Sequence, residues 1–180
     1  SLERVDPEAA EEVEELRQWP ETSAGGLMTT EFIAITPNLT INEAIDELRR
    51  RAREAETLDS VYVVGDRDRL LGILRLRDLL LAAPNERVGD TMRENVISVL
   101  PDLDQEEVAK VLAKYDLHAM PVVSSKGELL GLITSDDILD VMSEEQRKEL
   151  RTLLVGHDER EIQFAKPGSL TRVYAIASGK

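Results

Sequence analysis

The chain has 180 residues, 42% of them hydrophobic but only 3% aromatic, with 36 Asp and Glu against 22 Lys and Arg and a net charge of −14. This length can bury the core of one medium domain or two small ones, and the scarcity of rings makes that core aliphatic. So negative a balance argues against a nucleic-acid partner, the absence of cysteine excludes disulfides and thiolate metal sites, and no apolar run approaches the ~20 residues of a membrane span.

Residues Pro7–Trp19 read as a short helix, with Asp6 as N-cap, Pro7 in the first helical position and an acidic first turn; Pro20 stops it. Thr22 through Gly26 read as a linker whose paired glycines open backbone angles closed to other residues. A repeat begins there. Met28, Ile33, Ile35 and Pro37 match Met92, Ile97, Val99 and Pro101 at an offset of 64. A helix follows each proline, with buried-face spacing at Ile41, Ala44, Ile45 and Leu48 and again at Val108, Val111, Leu112 and Tyr115.

Strand-like runs come next, Val61–Val64 against Met120–Val123, then turns at Gly65-Asp66 and Lys126-Gly127, then strands Leu70–Leu74 and Leu129–Ile133. Helices Leu76–Ala82 and Ser135–Met142 close the copies. The offset is now 59, so the first copy carries five extra residues near Arg51–Thr57. A unit ordered strand, helix, strand, strand, helix cannot cover both faces of its own sheet. Two such units packed sheet to sheet solve this, which predicts an α/β fold of two βαββα repeats in a pseudo-twofold module. Beyond it, Glu144–Leu154 reads as helix, and Arg160–Phe164 and Arg172–Ile176 alternate weakly like strands.

Gly72-Ile73-Leu74 with Asp78, and Gly131-Leu132-Ile133-Thr134 with Asp137, resemble the ends of CBS (cystathionine-β-synthase) domains. Upstream, Trp19–Glu31 resembles the junction of MgtE-type magnesium transporters, as do Asp104–Ala109, Tyr115-Asp116 and Asp136–Val141. The resemblance implies the remnant of an N-terminal helical domain and a linker over 1–23, CBS repeats over 24–86 and 87–145, and a tail over 146–180 of unassigned role. It further implies a cytoplasmic, non-enzymatic, magnesium-sensing region. That region is expected to form a homodimer through its CBS domains and to be followed by a membrane pore domain in the parent protein, without itself entering the membrane. The residues after Glu145 do not resemble the helix that leads to the pore, so a stand-alone CBS module that binds an adenosine nucleotide and regulates a partner remains the alternative.

Candidate ligands follow from the carboxylates. Asp136, Asp137 and Asp140 start one helix, Asp104 and Glu106 start another, and Asp116 follows its end. Capping and solvation are the plain explanation; with the family resemblance they become candidate Mg2+ ligands. Hard oxygens with no thiolate suit magnesium, which keeps several waters and needs only one or two carboxylates. Two like charges ~4 Å apart at an effective dielectric of ~20 oppose each other by about 4 kcal/mol, and a divalent ion between acidic faces reverses that sign. The family pattern also implies an adenosine nucleotide such as ATP, with hydroxyl and carboxylate on phosphate and ribose. The second copy keeps Thr134 and Asp137, whereas the first has Arg75 in the hydroxyl position, then Arg77 and Asp78. Asp137 is assigned to metal, and the nucleotide to the first copy around Arg77 and Asp78. Gly25 and Gly26 are expected to act as a hinge. No nucleophile-base pair, zinc set or phosphate loop is present.

Overall fold

The computed structural model describes residues 19–143, 146–148 and 172–174. The first repeat runs α1 (Ala24–Leu27), β1 (Ala34–Ile35), α2 (Ile41–Arg51), β2 (Ser60–Val64), β3 (Leu70–Arg75) and α3 (Leu76–Leu81). The second runs α4 (Val88–Thr91), β4 (Ile97–Val99), α5 (Gln105–Lys114), β5 (Ala119–Val123), β6 (Leu129–Thr134) and α6 (Ser135–Val141). A further strand, β7, spans Arg172–Tyr174. Apart from Trp19, the helix expected over Pro7–Trp19 lies outside the described residues, as does the strand expected over Arg160–Phe164. Of the expected Glu144–Leu154 helix only residues 146–148 are described, and these are helical.

Each sheet pairs its first strand parallel to its second and its second antiparallel to its third. The long helices form where the sequence supplies both a cap and an apolar face. The Thr40 hydroxyl accepts from the Glu43 N–H at the start of α2, which buries Ile41, Ala44 and Leu48. The Asp104 carboxylate does the same for the Glu106 N–H of α5, which buries Val108, Ala109 and Leu112.

Strand β2 is buried on both faces. Val61 and Val63 turn to the helices of their own repeat, while Tyr62 and Val64 turn to the other sheet. The layer between the sheets holds Tyr62, Val64, Leu70, Val96, Val123, Leu129 and Leu132, with Phe32 edge-on to Tyr62 at 6.1 Å. Sheet-to-sheet packing is therefore the solution the molecule adopts. Part of the tail joins it: β7 lies parallel to β4, pairing Ile97 with Arg172 and Val99 with Tyr174, and makes the second sheet four-stranded.

The repeats also exchange their opening segments. Thr29 pairs with Leu132 of β6 through two backbone hydrogen bonds of 2.8 and 2.9 Å, and Arg93 pairs with Ile73 of β3 in the same way at 2.8 and 2.9 Å. The approach needs glycine: a Cβ on Gly131 would sit 2.6 Å from Met28 Sδ, and one on Gly72 would sit 2.8 Å from Met92 Sδ. Helix α1 follows the same rule. Ala24 N–H donates to Leu103 O and Gly25 N–H to Pro101 O, so the opening helix of repeat one packs in the core of repeat two. Val88 and Gly89 of α4 do the same to Leu39 and Pro37.

This corrects the linker and hinge expected at Thr22–Gly26. Gly25 is buried, and a Cβ there would meet the Trp19 ring at 2.3 Å; one on Gly26 would meet Pro20 O at 2.2 Å. Neither glycine has a left-handed φ. They are close-contact glycines in a docked helix capped by Ser23.

Candidate ligand sites at the two closing helices

The exchange brings each repeat's opening segment beside the start of the other's closing helix. The two resulting sites are equivalent in backbone and opposite in charge.

At the first, β3 runs directly into α3. The Arg75 N–H donates to Asp78 Oδ2 at 3.3 Å, closing the first turn of the helix. Arg93, anchored by its backbone to Ile73, donates from Nε to Asp78 Oδ2 at 3.0 Å and from a terminal guanidinium nitrogen to Oδ1 at 2.9 Å. The Asp78 carboxylate is mostly shielded and the Arg93 side chain about half exposed. These hydrogen bonds hold the Asp78 carboxyl below the ordinary carboxylate range, against the opposing effect of its partial burial. Arg75 and Arg77 are exposed at the same helix start, and the charges of Arg93 and Arg75 both act on the acid.

At the second, β6 runs into α6. The Thr134 hydroxyl donates to Asp137 Oδ2 at 2.8 Å and accepts from the Asp137 N–H at 3.3 Å. Here the surrounding charge is negative. The turn after α2, where the first repeat carries its extra residues, returns Glu56 so that its N–H donates to Glu31 O at 2.9 Å. Although Glu56 is exposed overall, partial burial of its carboxyl raises its pKa, and the neighbouring charge of Asp137 raises it further. Glu31 adds to the repulsion, and a hydrogen bond with Thr29 offsets part of it.

The candidate nucleotide residues are thus divided. Arg75, Arg77 and Asp78 lie at the first site, while Thr134 lies at the second, its hydroxyl engaged by Asp137. The candidate metal residues are dispersed as well. Asp137 is half-buried beside Thr134, whereas Asp136 and Asp140 are exposed on α6. Asp104 caps α5 and Glu106, two residues on, accepts from Gln146 Nε2 at 2.8 Å. Asp116 stands past the far end of α5 with a left-handed φ of 51°. A ten-residue helix of ~15 Å separates it from Asp104. Among the described residues, no three His, Cys, Asp or Glu groups converge to hold a metal ion. The donors still fit magnesium, because that ion takes one or two carboxylates and fills its octahedron with water.

Sequence reasoning missed Arg93, Glu31 and Glu56. Arg93 and Glu31 sit just after the matched methionines Met28 and Met92, and Glu56 falls in the stretch where the repeat offset changes from 64 to 59. That change was the one available signal.

Among the described residues no helix is long and apolar enough to cross a membrane. The CBS domain family matches residues 24–85 and 88–144. The chain is 44% identical over 149 residues to Magnesium transporter MgtE of Thermus thermophilus, which covers 83% of this chain and 33% of that protein. It is 39% identical to Magnesium transporter MgtE of Enterococcus faecalis, over 86% of this chain and 34% of that one. The chain therefore spans about a third of the length of the curated relatives it matches.

Two solved structures resemble it. The cytosolic domain of the Mg2+ channel MgtE in complex with ATP superposes with a TM-score of 0.71 at 47% identity, covering 76% of this chain and 55% of that one. The soluble part of a magnesium transporter gives 0.73 at 40% identity, covering 78% and 55%. Two interlocked βαββα units, each matched by the family over its own length, place the chain: it belongs to the CBS-domain family, as a tandem CBS pair resembling the cytosolic region of MgtE-type magnesium transporters.

Proposed function

We propose that this chain is the cytosolic regulatory region of an MgtE-like magnesium transporter, that it senses Mg2+ through its acidic CBS surfaces, and that it is not an enzyme. The observation that carries this reading is the 44% identity, sustained over 149 residues, to a magnesium transporter. Asp104, Glu106, Asp116, Asp136, Asp137 and Asp140 are the residues that would hold the ion. Their dispersal supports sites completed by a second acidic surface, from another part of the parent protein or another copy. An ion shared between such surfaces replaces repulsion by attraction, and the population shift equals its differential affinity for the two arrangements. In the parent protein that closure would restrain a membrane pore domain.

ATP, present in the similar MgtE cytosolic domain, is assigned to the first site. Arg75 and Arg77 supply positive charge for phosphates there, and Asp78 offers two oxygens to a ribose diol. At the second site Glu31, Glu56 and Asp137 would repel phosphates and attract a cation. A homodimer is supported by the closing helices, where Leu80 is 72% exposed, Leu81 74% and Leu139 47%, an apolar surface disproportionate in so acidic a chain.

Calorimetric titration of the 180-residue chain with magnesium chloride, and separately with ATP, tests the assignment. Magnesium sensing requires heat of binding in the millimolar range. ATP binding without any magnesium response would transfer the assignment to a nucleotide-regulated module acting on a different partner.

A further inference from the structure

The first site holds its acid already engaged, and the group engaging it comes from the other repeat. We infer that Arg93 is a specificity-determining residue that makes this site select phosphorylated adenosine over the bare nucleoside; the inference rests on the nucleotide assignment above. Both Asp78 oxygens accept from Arg93, at 2.9 and 3.0 Å, and the Arg75 N–H takes a further share of Oδ2. A ribose diol needs those same oxygens. A ligand that engages both Asp78 oxygens through a diol therefore competes with the guanidinium, which already takes both, and what becomes of that guanidinium decides the outcome.

A neutral nucleoside offers Arg93 nothing in exchange, so it meets the full competition. A ligand with a phosphate chain offers an anion that can take both N–H groups of the fork together. Arg93 can make that transfer without disturbing the fold. Its backbone is fixed by the paired hydrogen bonds to Ile73, at 2.8 and 2.9 Å, while its side chain is 52% exposed and held only at its tip, by Asp78. Asp78 keeps the Arg75 N–H in either arrangement, so the helix start survives the exchange. The second site has no counterpart, since Thr29 stands opposite Leu132 where Arg93 stands opposite Ile73. Asp137 is engaged there by a hydroxyl from its own repeat.

The test is calorimetric titration of the wild-type chain, Arg93→Ala and Arg93→Lys with ATP and with adenosine, alongside their melting temperatures. Removing the guanidinium frees Asp78, so adenosine should bind roughly threefold or more tightly to Arg93→Ala, the scale of a partly exposed ion pair. ATP should bind about tenfold more weakly, the scale of a lost charged hydrogen bond. Preference for ATP over adenosine thus falls by about thirtyfold on the same constants. Arg93→Lys keeps the charge but loses the fork, so its ATP affinity should fall between those of the wild type and Arg93→Ala. An unchanged preference, or equal losses for both ligands in a variant that melts normally, would overturn the role of Arg93. A wild-type chain that binds no ATP overturns the nucleotide assignment itself and the inference with it.

Discussion

Asp78, at the first site, and Glu56, at the second, have pKa values shifted in opposite directions. Arg93 holds Asp78 below its ordinary value of 3.8, so the stabilisation from this pair is complete above that value and is lost as pH falls through the depressed one. Arg93→Ala should cost roughly 1 kcal/mol or less at pH 7, and the difference from wild type should vanish in strong acid, read from urea midpoints at both pH values. Glu56 is the reverse case: its pKa is raised above 4.5, so its ionised form opposes folding once pH exceeds the raised value. Glu56→Gln should therefore melt above wild type at pH 7, melt with it near pH 3, and lose in high salt only the part of its advantage that comes from repulsion by Asp137 and Glu31. A further residue-scale strain lies in the β2–β3 turn, where Arg67 and Asp68 hold left-handed φ angles of 54° and 55°. Two-residue turns of that kind favour Asn-Gly, so Arg67→Asn with Asp68→Gly should stabilise by about 1 kcal/mol at an unchanged urea m-value.

Among the elements, the exchanged opening segments hold the pair together, and their glycines mark the crossing points. A Cβ on Gly131 would stand 2.9 Å from Thr29 O, a backbone atom that cannot retreat without breaking its pairing with Leu132. Gly131→Ala should cost about 1–3 kcal/mol, the range for overpacking, seen as a lower urea midpoint. How much of this was legible in the sequence varies with the distance over which each feature acts. The long helices α2 and α5 are legible from local apolar periodicity and the strands Leu70–Leu74 and Leu129–Ile133 as apolar runs, whereas the short helices α1 and α4 are not, and the sheet-to-sheet arrangement follows from the faces each unit leaves uncovered. The exchange was not legible, because a segment that pairs with its neighbour's sheet has the same local pattern as one that pairs with its own. Gly25-Gly26 misled for a related reason: sequence shows that a glycine is permitted any φ, but not that a tryptophan ring stands 2.3 Å from where its Cβ would be. The candidate sites divide likewise. Asp78 and Asp137 stand out beside Gly72-Ile73-Leu74 and Gly131-Leu132-Ile133, whereas Arg93 and Glu56 reach them only through tertiary pairing of distant segments.

For the molecule as a whole, charge and exposed apolar surface suggest two kinds of association. The closing helices α3 and α6 present Leu80, Leu81 and Leu139 to solvent. If they form the dimer interface, Leu80→Glu with Leu139→Glu should sediment as a monomer while the parent chain sediments as a dimer. The acidic surface is the more consequential feature, since a net charge of −14 disfavours close approach of two such surfaces until a cation intervenes. The decisive measurement is the magnesium dependence of the melting temperature at constant ionic strength, for the wild-type chain and for Asp137→Asn with Asp140→Asn. Sensing through these carboxylates predicts that millimolar magnesium raises the wild-type melting temperature, and that the variant folds normally and does not respond. Equal magnesium shifts in both proteins, or a variant that fails to fold with or without the ion, would show that these carboxylates serve the helix and not the metal.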